Sequence, residues 1–360
     1  VSAKTLWVKL IQNRVETGEP YIMFKDTVQD ALPQFQKDAG LQVHHSNLCS
    51  EITLATDDER TAVCCLSSVN LEEYDEWKDN EQFIPDLVRM LDNVLTHFID
   101  NAPDALYRAK LSAERERSIG LGAMGFHAYL QRHNIPFESV LAKGANNRMF
   151  TRIKEEAVRA TRQLATERGE CPDGEGYGVR NAHLLAVAPN ASSSIICGNT
   201  SPSIEPYRAN AFTQKTKSGS SLLKNEYLQH ALQEIGMDTE EVWKSVITNG
   251  GSVQQLEFLD EYTKDVFKTA VEIDQKWIIE MAGDRQNHIC QSQSLNVFFP
   301  ADVSKQELHA IHMMAWKQRV KTLYYLRSEA IKRAETVSDE ALRQYMFDSI
   351  DEGACLACEG

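Results

Sequence analysis

The sequence predicts an α/β fold in which parallel strands alternate with helices and a functional site lies at the carboxyl ends of the strands. Three observations support this class. Short apolar or alternating runs typical of strands recur between longer runs that have the 3.6-residue period of amphipathic helices. The chain has 360 residues, 42% of them hydrophobic and 25% charged, which is ordinary for a globular protein with a substantial core. It contains no internal repeat and no low-complexity linker.

The spacing of apolar residues predicts the helices and strands below. Helices are predicted over residues 1–14, 81–101, 146–168, 239–249, 253–281 (interrupted once) and 305–319. Strands are predicted over 42–52, 60–71, 289–299 and 321–327, with an apolar run at 183–188 and a glycine-rich segment at 118–129. The first helix lacks a convincing N-cap and begins at Val1, which predicts a chain cut from a longer one. An acidic stretch predicts a flexible tail, 336–360, after one folded unit, 1–335.

Charge and cysteine content narrow the function classes. The formal net charge is −14 without a cluster of Lys and Arg, so neither a nucleic-acid surface nor an anionic-membrane surface is expected. No apolar run reaches the roughly 18 residues that span a membrane, and the first residues show no signal-peptide pattern. The eight cysteines are therefore expected to be reduced thiols of a cytoplasmic protein, some of them catalytic.

An amide, a thiol and a carboxylate alternate in the first predicted strand, as Asn47, Cys49 and Glu51. In extended backbone these three side chains point one way, while Leu48 and Ser50 point the other. The set offers a hydrogen-bonding group, a sulfur for redox or hydrogen-atom chemistry, and a general base. Taken alone, the pattern is more typical of a buried cysteine beside a solvent-facing glutamate.

The next predicted strand contains adjacent cysteines, Cys64 and Cys65. Neighbouring residues of a strand face opposite ways, so only one of the two can share a pocket with Cys49. Two small buried hydrophobic residues are the simpler interpretation of this pair.

A serine-rich segment follows the apolar run at 183–188. Pro189 ends the run, and the segment then offers consecutive hydroxyls and free backbone amides at 190–194, which can hold a phosphate at a helix start. A plain serine N-cap is an equally good interpretation.

Two motifs near the end of the chain suggest redox chemistry. Tyr324 and Tyr325 form a pair that usually indicates aromatic packing, but two phenols can also relay an electron and a proton. Because adjacent strand residues face opposite ways, a stacked relay requires irregular backbone at this point. Cys355 and Cys358 form a terminal Cys-x-x-Cys, for which thiol–disulfide exchange fits better than zinc, since a structural zinc site needs about four ligands.

Taken together, the ordered motifs resemble those of the large subunit of class I ribonucleotide reductases. The resemblance rests on S-N-L-C-S-E at 46–51, V-C-C-L-S at 63–67, the serine-rich segment at 189–194, I-E-P at 204–206, S-Q-S-L-N at 292–296, K-T-L-Y-Y-L-R at 321–327 and the terminal dithiol. It extends from the first residues to the last, and the ordered set is far more specific than any one motif.

The resemblance implies a role for each motif. Cys49 would become a thiyl radical and abstract the 3′-hydrogen of a ribonucleoside diphosphate, Glu51 would deprotonate the 3′-hydroxyl, and Asn47 would hydrogen-bond the sugar. Cys64 would be one half of the reducing pair. The remaining assignments are diphosphate binding by Asn190, Ala191, Ser192, Ser193 and Ser194, a further active-site residue at Glu205, radical transfer through Tyr325 and Tyr324, and re-reduction of the pair by Cys355 and Cys358.

The family fold is a ten-stranded α/β barrel made of two five-stranded halves, with the radical cysteine on a central finger loop. This chain resembles the second half with that loop. The implied partners are the N-terminal half of the large subunit, as a separate chain or missing region, a small subunit with a tyrosyl radical and a dinuclear metal centre, and thioredoxin or glutaredoxin as reductant. No cofactor or metal is expected on this chain, which alone is expected to be inactive.

Two alternatives stay open. The chain could be a non-catalytic remnant that binds the small subunit or an intact large subunit through the tyrosine pair. It could also be a thiol oxidoreductase that uses only Cys355 and Cys358, although intact Asn47, Cys49 and Glu51 favour the enzyme.

Overall fold

A computed structural model describes residues 1–216, 219–300 and 302–328. Its helices are α1 (Ala3–Thr17), α2 (Lys25–Asp30), α3 (Gln34–Asp38), α4 (Tyr74–Trp77), α5 (Phe83–Asn101), α6 (Tyr107–Glu116), α7 (Phe126–Arg132), α8 (Val140–Arg168), α9 (Ala191–Ile196), α10 (Glu226–Glu234), α11 (Glu240–Thr248), α12 (Glu261–Val266), α13 (Gln275–Gln286) and α14 (Lys305–Lys317). Its strands are β1 (Ile22–Met23), β2 (Leu66–Asn70), β3 (Gly120–Met124), β4 (Ala211–Thr216), β5 (Gly219–Lys224), β6 (Val297–Phe299), β7 (Thr322–Leu323) and β8 (Leu326–Ser328). The predicted tail at 336–360, with Cys355 and Cys358, lies outside the described residues.

Parallel pairing links five segments side by side within these residues. β2 pairs with β3, and β6 pairs with β8, both in parallel. Two parallel bridges fill the gap between these pairs, from Leu121 to Leu185 and from Val187 to Gln293. The order is therefore β2, β3, the segment 185–187, the segment 293–299 and β8. Five parallel segments agree with the five-stranded barrel half that the resemblance predicted.

The two faces of these strands are covered differently. Leu121 and Ala123 of β3 belong to the main hydrophobic core, which they share with residues of α5, α8, α13 and α14. A smaller cluster on other residues of the same strands joins Ala186 to Ile52 and Leu54 of the irregular segment 41–56. Helices thus cover one face, and the predicted finger loop lies against the other.

Two glycines in β3 allow the neighbouring strand segments to approach closely on the loop side. A Cβ atom at Gly122 would lie 2.4 Å from the carbonyl oxygen of Ala186, and one at Gly120 would lie 2.3 Å from Leu66 Cδ2. Because side chains alternate along a strand, both glycines face the loop side while Leu121 and Ala123 face the helices. A larger residue at either glycine would displace a neighbouring strand.

A second core lies beside the first. It is formed by the hairpin β4–β5 and helices α10, α11 and α12, with Leu228, Trp243 and Phe267 among its buried residues. Within the described ranges, no helix combines the length and apolar character that crossing a membrane demands.

The long amphipathic helices confirm the periodicity argument. α1, α5, α11 and α14 match the predicted helices over 1–14, 81–101, 239–249 and 305–319, and α8 begins six residues before the predicted residue 146. The prediction of an uncapped first helix is wrong, because the hydroxyl of Ser2 accepts a hydrogen bond from the amide of Thr5 at 3.2 Å.

Several predicted elements differ from the structure. The strand over 289–299 is regular only in β6, and the strand over 321–327 is divided into β7 and β8. The strand over 42–52 is absent among the described residues, because its backbone turns at 47–50 and Ser50 has a φ of 70°. The strand over 60–71 is confined to β2, after the two cysteines. The helix over 253–281 is divided into α12 and α13 by an intervening stretch of turns, so its interruption is much longer than predicted.

Candidate functional site

The finger loop brings its polar residues together by a turn. The amide of Ser50 bonds to the carbonyl of Asn47, and the side-chain oxygen of Asn47 accepts from the amide of Ile52 at 3.0 Å. Leu48 is exposed at the tip, whereas Ser50 is buried. The predicted alternation, with Ser50 and Leu48 on one face, is therefore wrong. Cys49 and Glu51 are both buried, so the simpler interpretation with a solvent-facing glutamate is wrong as well.

The segment just before β6 fixes the finger loop through a serine. The hydroxyl of Ser294 lies 2.6 Å from the carbonyl oxygen of Cys49 and 3.0 Å from Glu51 Oε2. Next to it, the amide of Ser292 donates to the carbonyl of Glu51. Burial raises the pKa of Glu51, against the opposing effect of hydrogen bonds from Asn47 and Ser294. A carboxylate with a raised pKa is better suited to accept a proton near neutral pH.

A tyrosine contacts the loop cysteine. The hydroxyl of Tyr324 donates to Cys49 Sγ at 3.7 Å, and both residues are buried. Burial is the main cause that raises the pKa of Tyr324, followed by its hydrogen bond to Cys49. The phenol is therefore neutral at physiological pH, with its proton directed at the sulfur.

The tyrosine pair lies at an interruption between two strands. β7 pairs antiparallel with β1, β8 pairs parallel with β6, and the chain between them has no regular structure. The rings of Tyr324 and Tyr325 are 4.4 Å apart and inclined at 56°. The two adjacent rings thus come into contact where the backbone is irregular, in agreement with the prediction. Arg327 stacks on the outer ring, with its Cζ 4.0 Å from the centroid of Tyr325.

A third tyrosine joins this pair. The ring of Tyr21 lies 4.6 Å from that of Tyr324 and 4.9 Å from that of Tyr325. A buried arginine ties the two segments together, because Arg14 donates to the carbonyls of Pro20 and Tyr324. Burial lowers the pKa of Arg14 to about 10, so the guanidinium stays charged. Three phenols therefore form one cluster next to Cys49.

The serine-rich segment lies at the carboxyl ends of the strands. It forms α9, with Asn190 at the N-cap position in a left-handed conformation (φ 53°) and no side-chain cap. The interpretation as a plain serine cap is therefore wrong. Asn190 Oδ1 instead accepts from Ser68 of β2 at 3.1 Å. Ser192 and Ser193 are exposed, whereas Ser194 is buried.

Glu205 is linked to the tyrosine pair through Asn296. Its carboxylate accepts from the amide of Asn296 at 3.2 Å, and Asn296 Oδ1 accepts from the amide of Tyr325 at 3.0 Å. Burial raises the pKa of Glu205, with Arg208 and Arg327 opposing the shift. Glu205 thus lies next to the tyrosine pair, to which Asn296 joins it.

The two adjacent cysteines differ as predicted. Cys65 is buried, and its thiol lies 3.6 Å from the carbonyl oxygen of Leu91 on the helical side. Cys64 is exposed and lines a cavity of about 560 Å³ that also contains Asn47. Only Cys64 therefore opens toward the finger loop.

Three functional positions were missed from the sequence. Ser294 lies in a motif that carried the resemblance, whereas Arg14 and Tyr21 lie outside the motifs named above, and none of the three was assigned a role. The polar alternation of Ser292, Ser294 and Asn296 was a usable signal, since it places three polar side chains on one face of a buried strand. No local pattern joins Arg14 and Tyr21 to residues 300 positions later.

Comparison with known proteins agrees with this geometry. The sequence family described as ribonucleotide reductase, barrel domain, matches residues 1–176 and 172–326. A homologue from Frog virus 3 (isolate Goorha) is 49% identical over 363 residues, which cover 100% of this chain and 63% of that protein. The ribonucleoside-diphosphate reductase large subunit of Invertebrate iridescent virus 3 is 48% identical over 363 residues, with 100% and 57% covered.

A solved structure shares the fold. The Actinobacillus ureae class Id ribonucleotide reductase alpha subunit aligns with a TM-score of 0.85 and 42% identity, over 90% of this chain and 61% of that chain. The chain thus spans about three fifths of the length of these relatives. Because the family match covers nearly all of the described residues, the chain belongs to the large-subunit family of ribonucleotide reductases.

Proposed function

We propose that this chain supplies the radical-bearing catalytic centre of a ribonucleoside-diphosphate reductase. The observation that carries the proposal is the contact between the Tyr324 hydroxyl and Cys49 Sγ at 3.7 Å, with the ring of Tyr325 tilted against that of Tyr324 at 4.4 Å. A phenoxyl radical at Tyr324 would take the hydrogen atom of the Cys49 thiol and leave a thiyl radical. The cysteine would then be positioned to take the 3′-hydrogen of the ribose.

The neighbours of Cys49 support substrate chemistry. Glu51 is buried with a raised pKa and would accept the 3′-hydroxyl proton. Asn47 bonds to both the loop backbone and Glu51, so it would orient the carboxylate and the sugar. The segment 190–194 would bind the diphosphate through the first amides of α9 and the exposed hydroxyls of Ser192 and Ser193.

The reducing equivalents would come from thiols. Cys64 is exposed beside the finger loop and would form a disulfide when the 2′-hydroxyl leaves as water. Its partner cysteine would belong to the other barrel half. Cys355 and Cys358 would re-reduce that disulfide and exchange with thioredoxin or glutaredoxin.

Turnover would require further components. The remaining large-subunit sequence would come from the same polypeptide or a separate one, and would cover the finger loop. A small subunit with a tyrosyl radical and a dinuclear metal centre would deliver the radical to Tyr325. We place the assembled enzyme in the cytoplasm, in keeping with reduced thiols.

The test is reduction of ribonucleoside diphosphates by the assembled enzyme. This chain is combined with the rest of the large subunit, the small subunit and a thiol reductant, and deoxynucleotide formation is measured. Cys49→Ser should abolish turnover, because an alcohol O–H bond is too strong to yield the radical. The matched control is Cys171→Ala, which removes a buried thiol that packs against Gly174, remote from the loop.

The outcomes separate the two open alternatives. Turnover that persists in Cys49→Ser would favour a non-catalytic module that only binds other subunits. A stable complex with intact Cys49 and no turnover would also contradict the proposal. Radical-independent dithiol exchange alone would support the thiol oxidoreductase.

A further inference from the structure

We propose that Ser294 is a positioning residue that links the protonation of Glu51 to the placement of the radical cysteine. The inference rests on the proposed function and adds a residue that acts through Glu51 and Cys49. The hydroxyl of Ser294 lies between two groups of the finger loop, the carbonyl oxygen of Cys49 at 2.6 Å and Glu51 Oε2 at 3.0 Å. Ser294 is fully buried, so solvent does not replace either contact.

Two buried hydroxyls anchor neighbouring carbonyls of the finger loop. Ser294 donates to the carbonyl of Cys49, and Thr322 donates to the carbonyl of the next residue, Ser50, at 2.9 Å. The second contact of each hydroxyl differs. Thr322 also lies 3.0 Å from another backbone carbonyl, which carries no titratable proton, whereas Ser294 also contacts the carboxyl group of Glu51. Of these two anchors, Ser294 is the one that contacts a group whose protonation changes in the proposed reaction.

Proton counting shows that the two contacts of Ser294 compete while Glu51 is ionised. A serine hydroxyl has one proton to donate and lone pairs that accept. The carboxylate of Glu51 and the carbonyl of Cys49 can only accept, so both require the same proton. The carboxylate is the stronger acceptor, because hydrogen bonds to a charged group are roughly twice as strong as those between neutral groups. The ionised base therefore draws the hydroxyl away from the carbonyl of Cys49.

Proton transfer from the substrate removes this competition. The O–H bond of the ribose 3′-hydroxyl breaks, and its proton binds to a carboxylate oxygen of Glu51. Neutral Glu51 is a weaker acceptor, and a proton on Oε2 makes it a donor toward Ser294 Oγ. Ser294 keeps its own proton and directs it at the carbonyl of Cys49. Each contact then has a proton of its own, so the loop is held most firmly once the base has taken its proton.

The observed distances correspond to this second arrangement. The contact of Ser294 with the carbonyl of Cys49 is at the short end of the range for O–H···O bonds, and its contact with Glu51 is at the long end. Burial raises the pKa of Glu51, which favours the protonated carboxyl group. The sulfur of Cys49 contacts the hydroxyl of Tyr324, so a fixed carbonyl also restricts the sulfur. The link thus keeps the thiol in place while the ribose carries the radical.

The experiment begins with substitutions of Ser294 in the assembled enzyme. Ser294→Ala removes the shared hydroxyl and should lower kcat roughly tenfold with little change in KM, since the cysteine is less well placed whereas substrate binding is unaffected. Ser294→Thr and Ser294→Val have the same shape, but only the first keeps a hydroxyl. Ser294→Thr should therefore retain most of kcat and Ser294→Val should not. Thermal unfolding and small-subunit binding are measured for every variant, so that a misfolded protein is recognised.

Thr322→Val is the matched control. It removes the neighbouring anchor of the finger loop, at the carbonyl of Ser50, and the other acceptor of that hydroxyl is a backbone carbonyl. It should lower kcat by about threefold or less, because only a hydrogen bond between neutral groups is lost.

A double-mutant cycle with Glu51→Gln tests whether Ser294 acts through the base. The amide of Glu51→Gln takes no proton from the substrate, so the link is already broken. In that background Ser294→Ala should change the residual single-turnover rate by less than about twofold. Thr322→Val should cause the same fold-change in both backgrounds, since its anchor is independent of Glu51.

The outcomes distinguish this inference from the proposed function. If the unmodified assembly does not reduce ribonucleotides, the proposed function fails and the link fails with it. If it does, and folded Ser294→Ala keeps the unmodified kcat, the link alone is wrong. Equal fold losses from Ser294→Ala with and without Glu51→Gln would also overturn it, since Ser294 would then be a plain anchor of the loop.

Two comparisons decide where a variant gives no rate. If Glu51→Gln leaves no measurable turnover, equal losses in Ser294→Ala and Thr322→Val contradict the link, and a clearly larger loss in Ser294→Ala supports it. If Ser294→Ala does not fold, equal losses in Ser294→Thr and Ser294→Val contradict it, because those losses would reflect packing rather than the hydroxyl.

Discussion

The two faces of the parallel strands are stabilised by different interactions. On the helical face, α5, α8, α13 and α14 pack apolar side chains such as Leu95 and Phe150 against the strands. On the loop face, the finger loop has few apolar contacts and is held by directed hydrogen bonds, among them those of Ser294 and Thr322 to the carbonyls of Cys49 and Ser50. Apolar packing tolerates the exchange of side chains of similar volume, whereas a hydrogen bond fixes the positions of individual atoms. The difference explains why reactive groups lie on the loop face.

The largest expected effect is on the chemistry of the loop face. Glu51→Gln keeps the shape of the side chain and removes a buried carboxylate, so turnover of the assembled enzyme should fall by about 10²–10⁴-fold. The unfolding midpoint should not decrease, because a buried charge is removed. Steady-state assays and thermal unfolding measure the two effects.

A buried glutamate on the helical side is the matched control for Glu51. Glu116 is buried with a raised pKa and accepts hydrogen bonds from Ser112 and Ser118. Glu116→Gln should retain turnover. A comparable loss of turnover in both variants would mean that the loop face has no special role.

The second expected effect is on the stability of the helical face. Phe150→Ala in α8 should lower the free energy of unfolding by about 3–5 kcal/mol, because the fully buried ring leaves a cavity. Ser294→Ala on the loop face should cost only about 1 kcal/mol. Urea unfolding of both variants tests the comparison, and an equal cost would contradict it.

The helical face was largely predictable from the sequence. Its helices have a regular apolar period, which reports burial on one side directly. The finger loop was not predictable in this way, because the alternation at 47–51 suggested a strand. The left-handed Ser50 and the side-chain bond from Asn47 to Ile52 determine a turn there, and neither has a period.

The candidate site was predicted only through whole motifs. Their order identified Cys49, Glu51 and the tyrosine pair, and local reasoning correctly required irregular backbone between β7 and β8. The third phenol, Tyr21, required the fold, because its contacts with Tyr324 cross 303 positions in the chain. Long-range contacts between polar residues leave no local signature in one sequence.

Acid should affect the two faces in opposite directions. His312 of α14 is buried and accepts from Arg14, and burial lowers its pKa to about 4. The unfolded state therefore binds more protons than the native state between about pH 6.5 and pH 4, so this stabilisation is lost as the pH falls. Glu51 has a raised pKa, and its protonation in the native state favours folding as the pH falls.

Substitution separates these contributions. Chemical unfolding from pH 7 to pH 4 should show a smaller acid loss in His312→Gln, by about 1–3 kcal/mol at the lowest pH. Glu51→Gln should show a larger acid loss than the unmodified protein.

The smallest expected effects come from two glycines, one on each side of the strands. Gly122→Ala places a methyl group 2.4 Å from the carbonyl oxygen of Ala186 on the loop side, and forcing the strands apart should cost about 1–3 kcal/mol. Gly144→Ala lies in α8, where only the flexible end of Arg148 is near, and should stabilise the protein by about 0.5–1 kcal/mol. Urea unfolding measures both changes. Opposite signs are expected because a side chain has no room beside Gly122, whereas alanine at Gly144 lowers the conformational entropy of the unfolded chain. Two changes of the same sign would show that the close approach of the strands is not the reason for glycine in β3.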